Sequence, residues 1–297
     1  MSNHKGGPHL LGTKCPVFGL LFAAMVAATG CDSTTEVSQL VPGPAKPTSL
    51  DPSAPTGTSN PPTTTPPAGT TTRTFTTAAL VYNGDGAWTS EVANLESVLK
   101  SHSLSYQEVT SAQLAALTQD EMGQFGTIIW PGGSGTSMLN SLSGATRIKI
   151  RSAVIDQGVS FVGFCAGAFL AVSPAPAAGQ APGYLSLISA PVLDYYYLEN
   201  QGVTDAMTLE SFADGTQHDL VWYGGPVTLN IAGGVVAKYP TGDPAITEAF
   251  SGNGFVIISG VHPASPNLGI GDTDGIDLDV AYSLINAALT RTPLRAF

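Results

Sequence analysis

The most restrictive feature of this sequence is an alternation of short apolar runs with segments of helical periodicity, which begins near residue 77. Thr77-Ala-Ala-Leu-Val-Tyr82 is almost wholly apolar and ends in the turn sequence Asn83-Gly-Asp-Gly86, and residues 89–101 then carry apolar side chains at helical spacing. Gly158-Val-Ser-Phe-Val-Gly-Phe164 is a second such run, followed by a helix that begins at Ala166. Apolar strands separated by amphipathic helices are typical of a parallel sheet covered on both faces. We therefore predict an α/β fold with a mostly parallel sheet flanked by helices.

The pattern changes after Pro174. The apolar segments become shorter and β-like, and Ser251-Gly-Asn-Gly254 is a favourable hairpin turn. We therefore expect antiparallel additions in the second half, before a closing strand and helix. The further predicted strands are 105–109, 126–130, 185–191, 220–223, 227–231, 235–239, 245–250 and 255–259, and the further predicted helices are 111–122, 143–157 and 277–290.

The first 30 residues resemble a bacterial secretory signal, because lysines precede a short apolar run at residues 17–28. This run is too short to span a bilayer comfortably. It leads into Ala28-Thr-Gly-Cys31, which resembles a lipobox, the sequence that precedes a lipidated cysteine. The resemblance implies a lipoprotein signal peptide at 1–30, lipidation of Cys31, membrane lipid as a partner, and a place in the bacterial cell envelope, on the periplasmic or outer-surface side. An ordinary signal peptide with an incidental cysteine is the alternative.

Residues 31–73 are dominated by Pro, Thr and Ser, as in Pro61-Pro-Thr-Thr-Thr-Pro-Pro67. Such a sequence has too few apolar side chains to form a core, and it favours extended conformations. We predict a disordered tether here, which leaves residues 74–297 as one domain.

Charge and ligand patterns exclude several kinds of partner. The net charge is −11, so the chain lacks the basic face that binding to phosphate backbones requires, and we expect no nucleic-acid partner. No Cys/His set has zinc spacing. Four aspartates lie in Asp272-Thr-Asp-Gly-Ile-Asp-Leu-Asp279, but this segment lacks the twelve-residue loop of an EF-hand. We interpret it as a solvated turn in which Asp277 caps the last helix, with calcium left open, and expect no metal or cofactor.

Cys165 is the single cysteine of the predicted domain, so its thiol has no disulfide partner there. It lies in Gly163-Phe-Cys-Ala-Gly167, between an apolar strand and a helix, which is the pattern of a nucleophile elbow. Such a turn forces its central residue into strained backbone, and glycines two residues away on each side prevent collisions. The backbone N–H of Ala166 would then point to a developing oxyanion. The alternative is a buried packing cysteine.

Three motifs carry a resemblance to a known group: Gly163-Phe-Cys-Ala-Gly-Ala-Phe-Leu-Ala171, Trp130-Pro-Gly-Gly133 and Gly260-Val-His-Pro263. Together they resemble the class I glutamine amidotransferase-like superfamily and, within it, the family of the biotin-protein ligase amino-terminal domain. The resemblance implies a flavodoxin-like fold. It also implies that Cys165 is the nucleophile, that His262 is its base, and that the N–H groups of Gly133 and Ala166 bind the oxyanion.

One part of the superfamily pattern is missing. Ala264-Ser265 follows His262-Pro263, where the superfamily has a glutamate that orients the histidine. Asp85, in the turn after the first strand, is one substitute, as in a branch of the superfamily where an acid at that place supports the elbow cysteine. The alternative for Asp85 is a solvated turn residue, and Ser265 would orient the ring only weakly. Trp222-Tyr-Gly-Gly-Pro226 resembles a family loop near the pocket, so Tyr223 and Gly224 are candidates for substrate contact.

These observations support two hypotheses about function. The first is a tethered cysteine hydrolase in which Cys165 attacks a small amide or peptide and His262 transfers the proton. Biotin ligation is not expected, because no ligase half is present in the sequence, and amidotransfer would require a synthetase partner. The second is a catalytically weak protein that binds a small molecule or peptide in the same crevice, and the missing glutamate is its main support.

Overall fold

The computed structural model describes residues 62–65, 73–265 and 277–297. The predicted signal peptide, Cys31, most of the tether, and Asp272 and Asp274 lie outside these residues. Within the described ranges, no helix is both long enough and apolar enough to cross a membrane. The cysteine at position 165 is a free thiol in the described part of the chain.

Eleven strands and eight helices are described in these residues. In chain order they are β1 (Thr77–Tyr82), α1 (Thr89–Ser101), β2 (Tyr106–Val109), α2 (Ser111–Ala116), α3 (Gln119–Met122), β3 (Phe125–Trp130), α4 (Gly135–Ser141), α5 (Gly144–Ile155), β4 (Ser160–Phe164), α6 (Ala166–Ala171), β5 (Val172–Ser173), β6 (Ile188–Ser189), α7 (Tyr197–Asn200), β7 (Ala206–Phe212), β8 (Gln217–Trp222), β9 (Val235–Lys238), β10 (Pro244–Ser251), β11 (Gly254–Ser259) and α8 (Asp277–Thr290).

A nine-stranded sheet organises these elements in the order β2-β1-β3-β4-β11-β10-β9-β7-β8. The first five strands of this order are parallel to their neighbours, so their carboxyl ends lie along one edge of the sheet. The hairpin of β10 and β11 begins an antiparallel half that continues through β9, β7 and β8. The predicted fold class, a mostly parallel sheet with antiparallel additions in the second half, is confirmed.

The apolar runs in the sequence correspond to strands that are covered on both faces. Every residue of β3 and β4 is buried, and so is every residue of β1 after Thr77. Alternate residues of these strands enter two separate clusters, with Val81 in the cluster that includes α1 and α8 and Leu80 in the cluster that includes α5. Burial on both faces is the reason that the strands show no polar alternation.

The structure differs from the predicted elements in several places, and only β6 lies within the predicted strand at 185–191. The predicted helix at 111–122 is two helices, because the side chain of Thr118 caps α3 and accepts from Glu121 N–H. The capped helix α4 was not predicted. Residues 227–231 form no strand, and β7 was missed because its inward positions include Thr208 and Glu210 rather than apolar side chains.

Part of the predicted tether contacts the sheet. Thr63 and Phe250 form an antiparallel bridge, in which the N–H of Thr63 donates to Phe250 O at 3.2 Å and the N–H of Phe250 donates to Thr63 O at 2.7 Å. The described residues 62–65 therefore lie against the domain rather than apart from it.

A buried carboxyl on β7 predicts how stability depends on pH. Glu210 is fully buried, and burial raises its pKa from 4.5 to about 9. The folded protein therefore keeps this proton up to about pH 9, whereas the unfolded chain releases it near pH 4.5. Stability should fall as pH rises through this window, by up to about 1.4 kcal/mol per pH unit from this group.

The variant Glu210→Gln should flatten this dependence, as measured by urea unfolding between pH 5 and pH 9. The exposed residue Glu108 offers a control, because Glu108→Gln should leave the slope of the wild type. An unchanged slope in Glu210→Gln would show that Glu210 is not protonated selectively in the folded state.

Candidate active site

Cys165 lies at the sharp turn between β4 and α6. Its backbone has φ 47° and ψ −101°, a strained conformation for a residue with a side chain. A Cβ atom on Gly163 would lie 2.7 Å from the backbone of Gly167, and one on Gly167 would lie 2.6 Å from Trp130 O, so both positions need glycine. The N–H of Cys165 donates to Ser259 O at 2.7 Å, which anchors the turn to β11.

His262 follows β11, and its ring is fully buried beside an acid from a distant part of the chain. Nδ1 of His262 lies 3.2 Å from Oε1 of Glu91, which is also fully buried and belongs to the first turn of α1. The ring of Trp88 stacks on the imidazole, with 5.2 Å between ring centroids. Nε2, the other ring nitrogen, has no hydrogen-bond partner among the described residues.

The electrostatics of this group favour a charged imidazole. Burial alone would lower the pKa of His262, but the negative charges of Glu91 and Cys165 outweigh it and raise the pKa to about 10. Nδ1–H therefore donates to the Glu91 carboxylate, which leaves Nε2, on the other side of the ring, as the atom that can take up a proton and charge the imidazole. The elbow is anchored close to this segment, because Cys165 N–H donates to Ser259 O, three residues before His262.

Glu91 also holds the loop that follows β3. Its Oε2 accepts the N–H of Gly132 at 2.5 Å, while Oε1 contacts His262. A Cβ on Gly132 would lie 2.4 Å from the imidazole, so glycine is needed for the loop to pass the ring. One carboxylate thus connects the histidine to the predicted oxyanion loop.

Gly133 is placed so that its N–H is available. Trp88 N–H donates to Gly132 O and Ser134 N–H donates to Gly86 O, on either side of a bridge between Ala87 and Gly133. In such a pair the N–H of the central residue points away from the partner strand. Gly135, the first residue of α4 directly after this loop, approaches the Ala166 side chain, since a Cβ on Gly135 would lie 3.8 Å from the Cβ of Ala166. Gly133 and the first N–H of α6 at Ala166 are therefore brought to the same part of the fold.

Tyr223 and Gly224 also lie at this site. The thiol of Cys165 donates to the carbonyl oxygen of Tyr223 at 3.4 Å, and the Tyr223 ring packs edge-on against Trp88 at 4.7 Å between centroids. Gly225 and Gly260 are in backbone contact, because a Cβ on Gly225 would lie 1.8 Å from Gly260 O. The loop that carries Tyr223 is therefore fixed to the loop that carries His262.

The structure places neither Asp85 nor Ser265 against the ring nitrogens of the histidine, and Asp85 is the exposed turn residue that the alternative described. Asp85 is exposed, and its backbone rather than its carboxylate is engaged, with its N–H donating to Ser111 Oγ and its C=O accepting from Tyr82 Oη. Ser265 is buried and its N–H donates to His262 O. The partner of the ring nitrogen is Glu91, so the acid that the sequence seemed to lack comes from α1.

Glu91 and Trp88 were both missed in the sequence. A signal for Glu91 was present, because it shares a helix face with the buried residues Leu95 and Val98, where a charged side chain needs a partner. Its position in the first turn after β1 also places it at the carboxyl edge of the sheet, where sites in parallel α/β folds form.

A family comparison agrees with the arrangement around the elbow. Residues 77–175 match the family described as biotin-protein ligase, N terminal. This part of the chain, about a third of its length, is similar to that family. The match supports the class I glutamine amidotransferase-like fold that the sequence motifs predicted, and the matched segment includes Glu91, Gly133 and Cys165 but not His262. A comparison with curated proteins finds no match.

Solved structures of similar shape have low identity. An exo-β-1,4-mannosidase, Op5Man5, from an Opitutaceae bacterium is 13% identical with a TM-score of 0.40, over 72% of this chain and 36% of that chain, so this chain spans about a third of its length. The Trypanosoma brucei CTPS glutaminase domain with bound acivicin is 11% identical with a TM-score of 0.43, over 73% and 96%. A protein described as ThuA-like from Bacteroides uniformis is 10% identical with a TM-score of 0.43, over 74% and 94%. These values are too low to support a functional inference.

Proposed function

We propose that this protein is a cysteine hydrolase that cleaves a small amide or peptide with Cys165, His262 and Glu91. The observation that carries the proposal is the buried Glu91–His262 pair beside a strained cysteine. A bound acid fixes the orientation of the ring and stabilises its charged form, which a catalytic histidine needs. The main support for a catalytically weak binding protein was the missing acid, and Glu91 removes that support.

In the first step, Cys165 would lose its proton to Nε2 of His262. The thiol leaves its hydrogen bond to the Tyr223 carbonyl, and the resulting thiolate is paired with an imidazolium that Glu91 holds through Nδ1–H. The thiolate then attacks the substrate carbonyl carbon, and a C–S bond forms. The negative oxygen of the tetrahedral intermediate would accept from the N–H groups of Gly133 and Ala166.

In the second step, the proton on Nε2 would pass to the leaving nitrogen as the C–N bond breaks. An amine departs and a thioester with Cys165 remains. Water then attacks the thioester while His262 accepts one of its protons, which releases a carboxylic acid and restores the thiol. No cofactor is required, because the chain supplies the nucleophile, the base and the oxyanion donors.

The amino-terminal sequence adds a location to this proposal. Anchoring through a lipidated Cys31 would place the domain at the bacterial envelope, on the periplasmic or outer-surface side. Hydrolysis is favoured over amidotransfer there, because amidotransfer requires a synthetase partner to accept the ammonia. The substrate is therefore a soluble amide or peptide that reaches the cell envelope.

The experiment that tests the proposal is alkylation of Cys165 by iodoacetamide in the full chain, measured by mass spectrometry of the peptide that contains this residue. At pH 7 we expect His262→Ala to slow the reaction by about 10- to 100-fold, because the thiolate loses its proton acceptor and counter-ion. The same variant should abolish hydrolysis across a panel of amino-acid p-nitroanilides.

The exposed histidine at position 102 provides the matched control. It stacks on Tyr282 at the end of α1, away from Cys165, so His102→Ala should keep the wild-type alkylation rate. If the wild-type thiol reacts no faster than an ordinary exposed thiol, and His262→Ala makes no difference, the binding-protein hypothesis is favoured instead.

A further inference from the structure

A half-buried carboxylate lies beside the loop that contacts the thiol. Glu199 belongs to the short helix α7, and its Oε2 would lie 3.6 Å from a Cβ atom on Gly224. Gly224 directly follows Tyr223, whose carbonyl oxygen lies 3.4 Å from the Cys165 sulfur. Standard backbone dimensions then limit the separation of Glu199 Oε2 and Cys165 Sγ to at most about 11 Å. An extended peptide covers that distance in about three residues.

Backbone hydrogen bonds hold the segment that carries Glu199 against the loop that follows β8. Tyr196 N–H donates to Gly225 O at 3.1 Å, and Val227 N–H donates to Asp194 O at 2.9 Å. A bridge between Tyr195 and Pro226 continues the same contact. The segment that carries Glu199 is therefore attached to the loop that carries Tyr223.

Glu199 has no positive partner in the described part of the chain. Neither of the ion pairs recorded there involves it, and burial raises its pKa with no opposing charge to offset the effect. The ring of Tyr195 packs on Phe169, in the first turn of α6 after Cys165, with 4.9 Å between centroids. Tyr195 is also bridged to Pro226, two residues after Gly224, so Tyr195 and Glu199 lie along the same loop. Burial and the negative charge of Glu199 raise the pKa of the Tyr195 phenol.

We propose that Glu199 and Tyr195 form a subsite for a positively charged group, an ammonium or a guanidinium, on the amide or peptide that Cys165 cleaves. The carboxylate supplies the charge, and the aromatic face supplies a cation–π contact. A cation within about three residues of the scissile carbonyl reaches both. An anionic group in the same place would be repelled by Glu199. This inference rests on the proposed function and specifies its substrate class.

The test compares two thiol reagents of similar size and opposite charge, 2-(trimethylammonium)ethyl and 2-sulfonatoethyl methanethiosulfonate. Each forms a disulfide with the Cys165 thiolate and releases methanesulfinate. For each reagent the rate constant of the reaction with Cys165 is measured. The ratio of the cationic to the anionic rate constant, divided by the same ratio for free cysteine, measures how strongly the site favours a cation over an anion. In the full chain we expect a ratio of at least about 10 at low salt, falling as salt is added.

Glu199→Gln should lower this ratio by about threefold or more. The control is Glu121→Gln, which removes one charge from α3, directly before the amino end of β3, and keeps a side chain that can complete the helix cap. That variant should keep the wild-type ratio. A wild-type ratio near 1, or one that Glu199→Gln leaves unchanged, overturns the subsite. Failure of the catalytic proposal is separate, because it would appear as His262→Ala having no effect on the neutral reagent iodoacetamide.

Discussion

Replacing Glu91 with Gln should slow alkylation of Cys165 by about 10- to 100-fold near pH 7, although the new side chain has nearly the same shape. Oε1 of Glu91 accepts from Nδ1 of His262, and its charge helps to raise the pKa of the imidazole to about 10. An amide has no charge with which to stabilise the imidazolium, so the pKa of His262 should fall and the thiolate–imidazolium pair should be less populated. The measurement is the alkylation rate from pH 5 to pH 10, with the loss largest in the neutral range.

Asp85→Asn is the matched comparison for this variant, because Asp85 is the acid that the sequence suggested and the structure places outside the pair. Its carboxylate is exposed, so the pH profile should remain that of the wild type. If Asp85→Asn changes the profile and Glu91→Gln does not, the assignment of the orienting acid is wrong. Thermal unfolding of both variants separates an effect on the ring from a loss of folded protein.

Gly133→Ala should remove hydrolysis and lower stability together. Gly133 has φ 138°, and a Cβ there would lie 2.0 Å from the carbonyl oxygen of Gly86. The atoms that this Cβ would meet belong to the backbone of Gly86 and Trp88, which can move only if the loop moves. We therefore expect a loss of about 3 kcal/mol of unfolding free energy. Displacing the N–H of Gly133 should also lower turnover by about 100-fold, which is the usual effect of losing one oxyanion donor.

Gly179→Ala is the control for backbone strain alone. Gly179 has φ 76°, and a Cβ atom there would have no neighbour within 4 Å. This variant should cost only about 1 kcal/mol and leave turnover unchanged. Chemical denaturation and p-nitroanilide hydrolysis measure both quantities on each variant. Wild-type turnover in Gly133→Ala would exclude this loop from the reaction.

Much of the parallel half was predictable, because its signals are local. Strands such as β3 and β4 are buried on both faces, so they read as unbroken apolar runs. The antiparallel half was harder to predict from the sequence. β7 places Thr208 and Glu210 inward, and an apolar segment at 227–231 forms no strand. In both cases packing against elements that are distant in the sequence determined whether the segment forms a strand, and the local sequence pattern did not show it.

The candidate site divides in the same way. By itself, the sequence determined the elbow at Cys165, because a strand that passes directly into a helix requires glycines at positions such as 163 and 167. The sequence also placed His262 in a motif near its end. Only the tertiary structure decided which acid completes the group. Glu91 meets His262 across 171 positions of sequence. Helical periodicity shows which face of α1 is buried, but the side chain that this face meets depends on where β11 ends in the sheet.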